Sequence, residues 1–485
     1  MLCACGAALL AACGGAGSAP RLIAPLSTAT VTSQRPTLRW QAAAGSDVSV
    51  EICGDRACTR VEQRFDVHGD SGAPPMMLLH GVHFWHVRLA GGTTFGATWE
   101  FVVGAASATV DTSWGTIPDV DGDGQPDVIV GTGGRGAYVY LNGASGLSAT
   151  PTSLDARGDL PVAGDVNGDG FVDVIDGSPS DPAQLFLGSA SGLRATTTAF
   201  AGTRPIAAGD VNRDGYADVL DGAALRFGSA AGLTASSVAL TLPPGSHGLP
   251  RAAGVGDFNG DGYGDVATVD QIAMGPMTGG NGYLYLGGPD GLSTAPIALD
   301  SPTETNSALG FFVITSAGDV NGDGLADVAM SAHNLVYVFL GASSGAGGAP
   351  IVLHPPGPAA QFAVSLSGAG DVDADGFADV IVGDWGANGA FVYHGSAQGL
   401  SATPRSLFLA SGADEFGYSV AGAGDLDGDG IDDLIVGAPG PISTHGPAAA
   451  YIYYGRGSGG FVGPTTLANP GAGGFGWSVA RLSGG

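Results

Sequence analysis

One acidic nonapeptide occurs seven times in this chain, and its spacing restricts the fold more than any other feature. Asp119-Val120-Asp121-Gly122-Asp123-Gly124-Gln125-Pro126-Asp127 recurs at 165–173, 210–218, 257–265, 319–327, 371–379 and 425–433, so successive copies start 46, 45, 47, 62, 52 and 54 residues apart. Each copy runs into an apolar stretch, Val128-Ile129-Val130 after the first and Leu434-Ile435-Val436 after the seventh. A second landmark follows, an aromatic or aliphatic run that ends in small residues, as in Tyr138-Val139-Tyr140-Leu141, Tyr283-Leu284-Tyr285-Leu286, Phe391-Val392-Tyr393-His394 and Tyr451-Ile452-Tyr453-Tyr454. Two landmarks in fixed order at a period near fifty residues mark a repeat architecture, and a unit of that length holds the four short strands of one propeller blade. With 86 glycines to supply turns, the expected fold is all-β: a seven-bladed β-propeller of four-stranded blades, each acidic loop joining the innermost strand to the second. In such a meander the loops share one face. The long second-to-third connections, from about Asp270 to Asn281 and from Ala438 to Ala448, share the other and are the candidate binding surface.

The loop chemistry points to calcium. Position 1 is Asp119, Asp165, Asp210, Asp257, Asp319, Asp371 or Asp425, and position 3 is Asp121, Asn167, Asn212, Asn259, Asn321, Asp373 or Asp427. Position 5 is Asp123, Asp169, Asp214, Asp261, Asp323, Asp375 or Asp429, and position 9 is Asp127, Asp173, Asp218, Asp265, Asp327, Asp379 or Asp433. These are hard oxygen donors around a tight turn, a set that suits calcium at about one ion per repeat; magnesium keeps more of its water and zinc prefers His or Cys. A metal-free, Asx-rich turn would explain one such loop. It does not explain seven, since three or four carboxylates packed together without a cation repel one another. An EF-hand loop needs an acid at position 12, which is acidic only at Asp176 and Asp221. Arg213 and Ala374 replace the position-4 glycine, so weaker sites are expected in copies three and six.

Charge excludes several classes of function. Forty-five acids face 17 bases, all of them Arg, for a net charge of -28. Such a surface repels nucleic acid and anionic lipid. Seven divalent ions would halve that charge. No stretch approaches the roughly 20 apolar residues of a membrane-spanning helix.

The N-terminal region reads differently. Residues 1–19 look like an export signal and tether, and Leu10-Ala11-Ala12-Cys13 resembles a lipoprotein signal in which Cys13 would be acylated. An ordinary secretion signal is the alternative. Cys53 and Cys58 flank a turn between two strand-like runs, where a disulfide is plausible in an oxidising compartment. Residues 20–104 alternate as strands, and Pro36-Thr37-Leu38-Arg39-Trp40 and His83-Phe84-Trp85-His86-Val87-Arg88-Leu89 resemble core strands of a fibronectin type III-like β-sandwich. His83 and His86, three apart in a strand, point to opposite faces and cannot share an ion.

Residues 105–485 resemble the FG-GAP repeats of the integrin α-subunit propeller and its bacterial relatives. Copy seven carries the fullest match, Phe416-Gly417-Tyr418-Ser419-Val420, the acidic loop, then Gly437-Ala438-Pro439. Phe475-Gly476-Trp477-Ser478-Val479-Ala480 repeats its inner strand, either closing the ring or opening an eighth unit; seven blades is the expectation. The resemblance implies a binding module, expected to be a monomer, for an unidentified protein or glycan, and the N-terminal signal and cysteines imply an exported protein, either an outer-membrane or cell-surface lipoprotein or a periplasmic or secreted one. The competing expectation is a carbohydrate-active lectin, lyase or hydrolase. Gly341-Ala342-Ser343-Ser344-Gly345 fits a nucleophile-elbow pattern, but no helix pattern follows it, so no catalytic residue is assigned. Arg157-Gly158-Asp159 is given little weight, because a chain this rich in Gly and Asp has a chance of roughly a fifth to a quarter of holding one such tripeptide.

Overall fold

The computed structural model describes residues 19–479 apart from 109, 134–135, 157–161, 179–180, 201–204, 244–250, 271–280, 300–312, 333, 346–347, 358–360, 410–414 and 441–447. Cys13, Arg157-Gly158-Asp159 and most of both long connections lie outside the described residues.

The described residues form an all-β structure. Seven sheets of four strands follow one another along the repeats, and six of them keep strict sequence order, as in Arg251–Gly256, Asp265–Asp270, Asn281–Tyr285 and Ile297–Leu299. All their pairings are antiparallel. Within the second strands burial is nearly complete, as in Asp327–Ala332, Asp379–Asp384 and Asp433–Ala438. Such strands are apolar on both faces because each sheet stacks between two neighbours.

Every acidic loop of copies two to seven joins the first strand of its sheet to the second. The glycine before position 1 ends the first strand, and there the register shifts: Gly209, Gly256, Gly318 and Gly370 have φ of 74°, 82°, 78° and 76°. Only glycine takes that left-handed bend without strain.

The first repeat sheet is composite. Its members are Val128–Gly131, Ala137–Tyr140, Thr152–Leu154 and, from the far end of the chain, Ser478–Val479, paired Val130↔Val479 and Gly131↔Ser478. The segment that would have supplied its inner strand, Ser113–Thr116, instead pairs with Ala29–Val31 in the N-terminal region. Ser113–Thr116 is thus the edge strand of an N-terminal sheet.

That region consists of a three-stranded sheet, ordered Arg21–Ala24, Leu38–Gln41, Ser71–Gly72, and a six-stranded sheet, ordered Val61–His68, Asp47–Cys53, Gly81–Leu89, Trp99–Val103, Ala29–Val31, Ser113–Thr116. Trp40, Trp85, Trp99 and Phe101 are buried between them. Cys53 and Cys58 form a disulfide with a Cα–Cα distance of 5.1 Å. His83 bonds to Glu62 at 2.6 Å and His86 to Glu51 at 3.3 Å, so each has its own carboxylate.

The two regions are not beads on a string. The apolar core of the N-terminal sheets continues into Ala163, Val166, Ile175, Leu185, Ala217 and Val219 of the repeats. Trp114 lies against Gly256 and Gly318, where any added Cβ would sit 3.0–3.2 Å from the tryptophan. Two inner-strand glycines thus make room for one indole from the N-terminal region.

Candidate metal centre

The position-9 carboxylate ties each loop to the strands around it. Its Oδ2 accepts the N–H of position 2, from Val166 at 2.9 Å in copy two and from Leu426 at 2.8 Å in copy seven. Its Oδ1 accepts an N–H where the third strand ends, from Gly287 at 2.8 Å in copy four and from Gly341 at 2.8 Å in copy five. The position-1 carboxylate accepts the N–H groups of positions 4 to 6, as Asp319 does from Gly322, Asp323 and Gly324 at 2.7, 3.1 and 2.8 Å. Position 5 caps the turn after it, Asp261 Oδ1 accepting the N–H of Tyr263 at 3.0 Å.

Backbone donors fix these carboxylates but leave much of their charge uncompensated. Burial pushes the Asp127 carboxyl up to about 9, with Asp119 beside it adding to the shift. Asp433 reaches about 8 for the same leading reason. Asp173, Asp218, Asp265 and Asp327 are all pushed well above the carboxylate range by burial. Asp121 rises to about 7 from burial and then from Asp123 and Asp119. Two position-3 oxygens, Asp121 Oδ1 and Asp373 Oδ1, are buried without a hydrogen-bond partner. Carboxylate oxygens of Asp119, Asp121 and Asp127 lie within 4.8 Å of one another, as do those of Asp371, Asp373 and Asp375 and of Asp425, Asp427 and Asp433. A hard divalent cation fits this donor set. It would take the place of protons that burial otherwise forces onto the acids.

The copies are not equal. Position 3 is Asp in copies one, six and seven; in copies two to five the Asn amide donates to the position-5 carboxylate, as Asn167 does to Asp169 at 2.9 Å. Arg213 and Ala374 hold φ of 55° and 59° at position 4, where glycine stands elsewhere. A side chain there costs about 1 kcal/mol.

Two further participants escape the nonapeptide pattern. Arg456 pairs with Asp427 and Asp429 at 2.7 Å each, placing a guanidinium beside copy seven. His394 Nδ1 stands 3.2 Å from Asp373 and 3.4 Å from Asp379 in copy six. Their only sequence signal is where they stand, at the end of the second landmark: other copies carry Leu, Phe or Tyr at the His394 position and small residues at the Arg456 position.

The N-terminal region covers this loop face. Arg56 donates to the carbonyls of Gly122 and Gly170 and to Glu100, the last at 3.2 Å, and lies 4.5 Å from the Phe171 ring. Ser27 Oγ donates to Gly170 O at 2.9 Å, and Thr112 Oγ1 donates to Gly324 O. Between the regions lies a cavity of about 330 Å³ whose lining includes Glu100, Trp114, Asp119, Asp371, Asp425 and Asp432.

Fold and loops together define an all-β repeat protein with an acidic, oxygen-rich turn in each unit. Comparison with known proteins specifies the repeat. The sequence pattern of the FG-GAP-like repeat matches residues 119–175, 165–220 and 319–382, and that of the FG-GAP repeat matches 416–454. These stretches of the chain are thus similar to FG-GAP repeats. Integrin alpha-PS5 of Drosophila melanogaster is 35% identical over 156 residues, covering 28% of this chain and 15% of its own. Integrin alpha-7 of Homo sapiens is 34% identical over 143 residues, covering 27% and 12%. The chain thus spans only a small part of the length of these relatives. Among solved structures, a functionally unknown protein from Desulfotomaculum acetoxidans aligns over 74% of this chain and 98% of its own at 11% identity and a TM-score of 0.43.

Proposed function

We propose that this chain is a calcium-stabilised binding module, not an enzyme: a seven-bladed propeller that offers one face to a protein or glycan. The observation that carries this reading is the repetition of a single loop in which buried carboxylates converge on backbone donors. Positions 1, 3, 5 and 9 would hold the ion, which supplies charge compensation rather than chemistry. The pairing of Ser478–Val479 with Val128–Gly131 supports a ring closed by the two ends of the repeat region. The strand order of the N-terminal sheets supports a fibronectin type III-like sandwich.

Because the sandwich occupies the loop face, the partner surface is the opposite face, where described second-to-third turns such as 385–388 lie. Similarity to integrin α chains supports an adhesive role. The Cys53–Cys58 disulfide supports export to an oxidising compartment, and no described helix is long and apolar enough to cross a membrane. A lipid at Cys13 would tether the sandwich.

The reading is tested by screening the full chain in millimolar calcium against a glycan array and an envelope extract, alongside a polysaccharide-degradation assay. Capture that chelation abolishes is the expected result. Turnover of any polysaccharide would contradict it.

A further inference from the structure

Copy six differs from the other copies by an imidazole. His394 follows the strand Gly389–Tyr393 at a position that is Leu141, Leu187, Phe227, Leu286, Leu340 or Tyr454 in the other repeats. The pairing Val380↔Tyr393 brings the end of that strand back to the loop, and Gly395 N–H donates to Asp379 Oδ1 at 2.8 Å. The imidazole Nδ1 faces Asp373 Oδ2 at 3.2 Å and Asp379 Oδ2 at 3.4 Å, and the three ligand atoms lie within 4.8 Å of one another. The three side chains are 20%, 14% and 0% exposed, and Asp373 Oδ1 is buried without a partner. Asp371 and Asp375 bring further carboxylates to the same loop.

We propose that copy six is a mixed nitrogen–oxygen site for a borderline divalent metal of the zinc class, while the all-oxygen loops take calcium. The proposal rests on the reading of the loops as cation sites and deepens it for one of them. Calcium is bound by oxygen donors, six to eight at a time. An imidazole lone pair adds little to that shell but is a preferred ligand of zinc and its neighbours. Zinc with ligands at about 2.0–2.1 Å holds adjacent donor atoms roughly 3.0–3.4 Å apart, the separation found between Nδ1 and the two carboxylates. Arg456, the comparable intruder in copy seven, never surrenders its proton and can act only as a counter-ion. Histidine can present a lone pair.

The test uses the full chain, stripped of metal, returned to millimolar calcium and titrated with zinc, with bound ions counted by native mass spectrometry and cobalt(II) used as an absorption probe. One zinc per chain is expected to persist against excess calcium. His394→Leu and Asp373→Asn restore residues native to other copies; each is expected to weaken zinc binding by more than about tenfold, since outer-shell losses alone cost that much, and to leave calcium on the remaining loops. Wild-type protein that keeps no zinc in calcium would overturn the proposal and make His394 an imidazolium counter-ion. So would His394→Leu protein that binds zinc as well as wild type. Zinc lost with calcium retained refutes this inference alone; calcium absent from every loop while one zinc stays refutes the broader reading and supports this one.

Discussion

The N-terminal sheets and the repeats solve the same problem in opposite ways. Both bury acids. In the N-terminal region each buried acid has a basic side chain to answer it: Glu51 meets Arg64 at 2.5 Å and His86 at 3.3 Å, and Glu100 meets Arg56 at 3.2 Å. In copies two to five the buried position-1 and position-9 aspartates meet backbone N–H groups instead. The chain has 17 bases for 45 acids, too few to answer every loop. One region is internally neutralised; on the proposed reading the other takes its cations from the medium.

Chelation is expected to separate the two regions most strongly. With calcium about tenfold above each dissociation constant, binding contributes roughly 1.4 kcal/mol per loop, or about 10 kcal/mol over seven, comparable to a typical domain's stability. A chelator should lower the melting temperature of the repeats sharply and that of the N-terminal sheets, joined to copies two and three through a shared core, by less. A single transition unmoved by chelator would erase the contrast.

Arg56→Ala tests the seam between the regions. It strands Glu100, which is already pushed well above the carboxylate range by burial and by Asp119, and removes the donors to Gly122 and Gly170. Breaking a buried pair this way costs about 4 kcal/mol, read as a lowered midpoint in denaturant. Asp265→Ala acts within the repeats alone. It leaves the N–H groups of Phe258 and Gly287 without an acceptor, a loss of about 3 kcal/mol, and in calcium it should also remove one bound ion.

Acidity should change sign between the two metal states. Asp127 and Asp433 titrate in the fold at about 9 and about 8 because burial disfavours their charge. Metal-free native protein therefore binds more protons than the unfolded chain between those values and about 4, so its stability falls as pH rises through that window, by up to about 1.4 kcal/mol per pH unit per proton. In calcium the ionised acids are the binding form, and acidification should release the metal and destabilise. Melting curves from pH 5 to 8.5, with and without chelator, should slope in opposite directions. The smallest effect is expected from Arg456→Leu, which frees Asp427 and Asp429 from an exposed ion pair and should raise the calcium affinity of copy seven about threefold to fivefold, measurable by titration calorimetry.

Much of the repeat architecture is legible in the sequence because the signal is local. Asp, Gly and the apolar run lie within a dozen residues, and the same chemistry returns at each copy. What is not legible is set by partners far apart in the chain. His394 is 15 residues from Asp379, and Arg456 is 29 from Asp427; strand pairing alone brings them to the loops. The exchange of Ser113–Thr116 for Ser478–Val479 in the first repeat sheet is a choice between two β-compatible segments that no local pattern decides. The seating of the N-terminal sheets depends on carbonyls such as Gly170 O, which carry no side-chain signature.

The central claim, that the medium supplies the cations the repeats lack, is tested most directly by counting ions. Native mass spectrometry of the full chain, stripped of metal and titrated with calcium, is expected to resolve a ladder that saturates at one ion per loop, with the last steps, from copies three, six and seven, needing the most calcium. A mass that stays at the apo value in millimolar calcium would contradict the account.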